Sequence, residues 1–154
     1  MGRIADSDRV RTETFNELQE KSKEMGELND CGVKAVAVVT GMTYEEAHAA
    51  LKHLGRINGV GSQRGWITDV IESRGFTVKR IPNEHFISQY PGEKKNDLKN
   101  ITTHHPARFP EPFAMGVYLM FTKSHVAACV SGVVHDWSIG RSLRVNVMYL
   151  ITKE

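Results

Sequence analysis

The stretch LNDCGVKAVAVVTG, residues 28–41, decides how the rest of the chain is read. A polar turn, Asn29-Asp30, leads into Cys31, and an apolar run follows that closes at Gly41. Val33, Val36 and Ala37 recur at helical spacing, yet a run of valines also suits a strand, so periodicity alone leaves both open. The Asn-Asp lead-in favours the helix, because both residues are good N-caps, and Gly41 suits its C-terminal stop. A helix that begins here puts Cys31 in its first turn. Unpaired backbone N–H groups and the helix dipole stabilise a thiolate there, and the same N–H groups can receive an oxyanion. A cysteine by itself is most often a small buried hydrophobe. Only a partner would make Cys31 a nucleophile.

Helical signals continue on both sides of this stretch. TETFNELQEKSKEM, residues 12–25, is polar with Phe15 and Leu18 on one side, which predicts a surface helix. TYEEAHAALKHLG, residues 43–55, starts with a capping box, Thr43 and Glu46, and stops at Gly55. SQRGWITDVIESRG, residues 62–75, is a further helical segment stopped by Gly75. The character then changes. FTVKRI, residues 76–81, alternates like a strand. FAMGVYLMFT, HVAACVSG, VVHDWS and LRVNVMYLIT, between residues 113 and 152, are four more strand-like runs with turn residues between them. The 82–112 segment separates the two groups. It is irregular, rich in proline and charge, and has short-helix character at NDLKNITTHH, residues 96–105. A connection of that length usually serves function or motion. The expectation is a single domain, residues 1–154, of the α+β class. N-terminal helices pack on a C-terminal antiparallel sheet, and residues 1–24 form a helical extension.

Composition narrows the function classes. The 154 residues are 40% hydrophobic and 25% charged, an ordinary globular balance with enough chain to bury a core. A net charge of +2 without a basic block makes no case for a nucleic-acid partner. No apolar run approaches the roughly 18 residues of a membrane span, and MGRIADSDRV has no secretory core. Asp6 weakens the match of Met1-Gly2 to a myristoylation signal. Two cysteines make no disulfide framework, so a cytoplasmic protein with free thiols is expected.

A partner for Cys31 stands in TKSHVAACVSGVVHDWS, residues 122–138. His125 opens a strand, and Ser131-Gly132 would turn the chain back. With a two-residue loop, Val130 faces Val133 and Ala127 faces Asp136, which makes His125 and Asp136 diagonal neighbours on one face. An aspartate there would hold the imidazole and fix its tautomer, leaving the other nitrogen for a thiol. A three-residue loop would send Asp136 to the opposite face. Other residues have plainer readings. Cys129 lies inside a strand and reads as core. His135 should point away from His125. His48 and His53 are five apart and read as surface or helix-packing residues. His104-His105, without a cysteine or a second spaced pair, is a poor zinc pattern. Trp66 and Trp137 read as core or groove-wall aromatics. GRINGVGSQRG, residues 55–65, lacks the ending of a phosphate loop and reads as a flexible loop that lines a groove. No metal or cofactor is expected.

Asp30-Cys31-Gly32 at a helix start, His125 at a strand start and Asp136 a hairpin later resemble, in type and order, the papain-like cysteine peptidases. The nearest type is the small bacterial and phage-encoded peptidases, distantly related to the bacteriocin-processing, double-glycine peptidases. The resemblance covers roughly residues 25–150. It implies a papain-like fold, Cys31 as nucleophile, His125 as general base and then acid, and Asp136 as the group that orients it. It implies a protein or peptide substrate, a bacterial host cell as setting, and acyl transfer to water or to an amine: a peptidase, isopeptidase, deamidase or transferase. The family's glutamine, five or six residues before the cysteine, is replaced here by Gly26 and Met25. Asn29 is the expected substitute donor to the oxyanion, ahead of the more remote Gln19. The missing glutamine keeps a second expectation open, a non-catalytic papain-like module that captures a protein partner.

Overall fold

The computed structural model describes residues 11–82, 116–139 and 143–153. Helices come first: α1 (Glu13–Glu24), α2 (Cys31–Thr40), α3 (Tyr44–His53) and α4 (Arg64–Ser73). Strands follow: β1 (Phe76–Arg80), β2 (Val117–Phe121), β3 (Val126–Val130), β4 (Val133–Val134) and β5 (Val147–Lys153). The strands form one antiparallel sheet in the order β1-β5-β2-β3-β4. The chain is therefore α+β, helices first and sheet after. Apart from Pro82, the expected loop at 82–112, its short helix and His104-His105 lie outside the described residues.

The ambiguous stretch is a helix, and its burial explains the ambiguity. In α2 Gly32, Val33, Lys34, Ala35, Val36, Ala37 and Val39 are all buried, so its apolar residues surround it instead of forming a stripe. It packs on β2 and β3 and against the other three helices. Gly41 ends it in the left-handed conformation, with φ 77°, and its N–H returns to the carbonyl of Ala37. The capping box of α3 forms as expected: the Glu46 N–H donates to Thr43 Oγ1, and the Thr43 N–H to the Glu46 carboxylate.

Leu119, Phe121, Val126, Ala128, Val147 and Ile151 face the helices in one core. Tyr118, Met120, Ala127, Cys129, Met148 and Leu150 are buried on the opposite face. Two strand expectations shorten. VVHDWS keeps only Val133–Val134 as strand, because the chain bends at Asp136. LRVNVMYLIT is strand only from Val147. The N-terminal helix is more than an appendage. Phe15 is fully buried, and the Thr12 hydroxyl accepts from the Phe15 N–H while bonding His135 Nδ1 at 2.8 Å, which ties α1 to the segment after β4.

Candidate active site

Cys31 is the first residue of α2, and its surroundings differ from the expected cap. Asp30 occupies the N-cap position, but its side chain makes no capping hydrogen bond. Its carboxylate turns inward to Tyr44 Oη at 2.7 Å and Lys34 Nζ at 3.1 Å. Burial pushes this carboxyl's pKa up, but hydrogen bonds from Ser22 and Tyr44 and the charge of Lys34 outweigh it and hold the pKa below the usual range. The N–H groups at the start of α2 thus have no carboxylate folded over them. Gly32 has its own packing reason. A Cβ there would stand 3.0 Å from Ile67 Cδ1 and 3.1 Å from Ser62 Cβ, so a side chain at this position would press these two side chains back by a few tenths of an ångström.

Two hairpins deliver the partners. Phe121 pairs with Val126, and the Thr122 N–H donates to the His125 carbonyl at 2.8 Å, so His125 sits at the mouth of β3. At the next turn Val130 pairs with Val133 and Cys129 with Val134, the register of a two-residue loop. Ser131 and Gly132 both have positive φ, 52° and 80°, the conformation that matches the twist of a tight hairpin. The register brings Asp136 to His125: Nε2 lies 2.6 Å from Oδ2. The same carboxylate oxygen accepts from the Ser138 N–H at 3.1 Å and from the Ser138 hydroxyl. Ser138, wholly buried, is a site residue that the sequence analysis missed. The signal was there, since Asp-x-Ser is a local turn in which the aspartate bonds the backbone two residues on.

With Nε2 on Asp136, the remaining ring nitrogen, Nδ1, is the one that can meet the thiol. Burial disfavours a charged His125, yet hydrogen bonds to Asp136 and to Cys31, and the charges of both, prevail and raise its pKa to about 9. Asp136 thus holds one ring nitrogen of His125, and Cys31 acts on the ring as well. The Trp137 ring leans on the imidazole, centroids 4.9 Å apart, and walls one side of the cleft.

The cleft opens on both sides of the Cys31–His125 pair. Toward α4 it is lined by Ser62, Arg64, Ile67, Lys123, Asn146 and Val147. In the other direction it is lined by Asn29, Asp30, Lys34, Asp136 and Trp137. Gly61 lines both, so the 55–65 loop does wall a groove. It is pinned in place. Buried Glu27 accepts from Arg56 Nη1 at 2.7 Å, from the Gly59 N–H at 2.8 Å and from the Leu28 N–H at 3.2 Å, and its Oε2 lies 2.5 Å from His48 Nε2. His48 is thus a buried anchor residue, whereas His53 is exposed.

Asn29 lines the cleft, but its side-chain amide donates to the Gly59 carbonyl at 2.9 Å, so it holds a loop instead of offering both its hydrogens to an oxyanion. Gln19 is absent from the lining, and its Oε1 accepts from Lys34 Nζ at 2.5 Å. Cys129 is fully buried, and burial pushes its thiol up to about 12. His135 bonds Thr12 and is not among the residues that line the cleft. Among the described residues no helix is long and apolar enough to cross a membrane. Comparison with protein-family models, curated proteins and solved structures returns no match to this chain.

Proposed function

We propose that the protein is a cysteine-dependent acyl hydrolase of the papain-like type, acting on a peptide or isopeptide bond with Cys31, His125 and Asp136. One observation carries the reading: His125 bonds Asp136 through Nε2 and interacts with a thiol at the first turn of a helix. The Cys31 thiolate attacks the substrate carbonyl carbon. The resulting oxyanion is held by the backbone N–H of Cys31, in the positive end of the α2 dipole. The imidazolium of His125 passes its proton to the leaving amine as the C–N bond breaks, leaving a thioester. Water, deprotonated by the same ring, then attacks the thioester, and the thiolate leaves. Asp136, steadied by Ser138, keeps the ring oriented and favours its charged form. A cleft open on both sides of the nucleophile suits an extended chain that enters and leaves.

The alternative, a non-catalytic binding module on the same fold, draws support from the commitments of Asn29 and Gln19, whose side chains serve Gly59 and Lys34. Thiol labelling separates the two readings. An active site requires iodoacetamide to alkylate Cys31 well below pH 8 and much faster than Cys129, with turnover of a fluorescently labelled casein that is lost on alkylation. Slow labelling of Cys31, matching that of a free model thiol, would favour the module.

A further inference from the structure

The two arms of the cleft differ in charge. On the Trp137 side the ionised residues cancel in pairs, Asp30 with Lys34 and Asp136 with His125. On the α4 side Arg64 and Lys123 line the wall, and among the described residues no aspartate or glutamate lines it with them. Both are exposed, and neither forms an ion pair among the described residues. Arg64 also stands at the first position of α4, where the helix dipole disfavours a cation. That helix has no acidic residue in its first turn, and Gln63 at the N-cap gives no side-chain bond. Ser62, in the same wall, has a buried Oγ with no hydrogen-bond partner, an uncommon and costly arrangement in a folded protein. An uncapped helix start, a hydroxyl without a partner and two cations without a counterion among the described residues all lie on one arm. Each is a donor or a charge that a carboxylate would satisfy.

We propose that the α4 arm is a carboxylate subsite, and that the substrate chain carries an acidic group there, beside the bond that Cys31 attacks. The subsite deepens the hydrolase reading and rests on it for its role in turnover, though its anion binding does not need a reactive thiol. The group is either an aspartate or glutamate side chain or a chain's terminal carboxylate.

Two measurements test it. In the first, Cys31 is alkylated with neutral iodoacetamide and with anionic iodoacetate at low ionic strength, in the wild type and in the Arg64→Glu/Lys123→Glu double variant. His125 attracts iodoacetate in both proteins, so the change in the iodoacetate-to-iodoacetamide ratio reports the two cations alone. The ratio is expected to fall roughly tenfold and to recover toward parity between the proteins as salt screens the charges. A ratio that stays within twofold would overturn the subsite. In the second, Cys31→Ala protein labelled with nitrogen-15 is titrated with N-acetylglutamate amide, N-acetylglycine and N-acetylglutamine amide. Saturable shifts of the Ser62–Gly65 amides are expected with at least one of the two carboxylates and not with the glutamine compound. Which carboxylate acts tells a side chain from a chain end. Equal shifts with all three, or none, would overturn the proposal whatever the thiol does. A Cys31 that resists both reagents, with the amide shifts intact, would sink the hydrolase reading and leave the anion site standing.

Discussion

Among the described residues two histidine–carboxylate pairs have nearly the same length, and on the proposed function they serve opposite ends. His125 and Asp136 are 2.6 Å apart, and His48 and Glu27 are 2.5 Å apart. Around Glu27 every neighbour is a further donor: the Arg56 guanidinium and the N–H groups of Leu28 and Gly59. The carboxylate's charge is met by arginine, and the buried histidine stacks on the Tyr44 ring. Around Asp136 the donors are one serine's hydroxyl and N–H, and the histidine keeps a second nitrogen for a thiol at an open cleft. A histidine–carboxylate bond is thus not a catalytic signature by itself. Access and the group on the far nitrogen decide whether it clamps a loop or moves a proton.

The comparison can be broken at either pair. The largest effect belongs to the nucleophile: Cys31→Ala should lower turnover of a labelled casein by about 10,000-fold or more, with the melting temperature little changed. Retained turnover would move the chemistry elsewhere. Next come the two histidines, replaced separately. His125→Ala should slow alkylation of Cys31 at pH 7 by about 100-fold, whereas His48→Ala should change it less than threefold and show its loss in stability instead. Equal slowing in both would mean that the His48 cluster is not merely structural.

The proton held by His125 also has a pH signature. Its pKa is raised to about 9, so the imidazolium persists through neutral pH and is lost as pH rises through 9. Turnover should fall on an alkaline limb near that value. In Asp136→Asn, which removes the charge that favours imidazolium, the limb should move down toward 6.5, the ordinary histidine value. An unmoved limb would separate Asp136 from the reacting ring.

Glu27 gives the converse experiment in stability. Hydrogen bonds from Arg56 outweigh burial, and further donors add to them, so its pKa is lowered from 4.5 to about 2. A depressed carboxylate contributes stability that is present above 4.5 and lost as pH falls toward 2, worth about 3 kcal/mol. Glu27→Gln should therefore cost about 3 kcal/mol in urea unfolding at pH 7 and flatten the loss of stability below pH 4.5. The smallest effect is expected of Asn29→Ala. Loss of an exposed bond to Gly59 should cost about 1 kcal/mol and less than tenfold in turnover. A loss of 100-fold would restore Asn29 as a donor to the oxyanion.

Much of this was legible before any coordinates. The capping box at Thr43, the helix stop at Gly41 and the hairpin at Ser131-Gly132 depend on neighbours within a few residues, so local chemistry suffices to read them. The hairpin register carried the prediction that Asp136 would meet His125, since a period of two leaves only one face available for a given loop length. The errors fall where a side chain chose a distant partner over a near one. Asp30 was read as a cap and serves Tyr44, and His48 was read as a surface or helix-packing residue and serves Glu27, while Asn29, read as an oxyanion donor, lines the cleft with one amide hydrogen given to Gly59.

The sequence by itself determined the α+β order, the start of α2 at Cys31 and the hairpin that pairs His125 with Asp136, because propensity, capping and register act over short stretches of chain. Only the tertiary structure decided which polar groups remain available at the cleft. Burial makes an unpaired donor or charge costly, and the partners that relieve that cost, from Tyr44 to Gly59, come from segments that lie far apart until the chain folds.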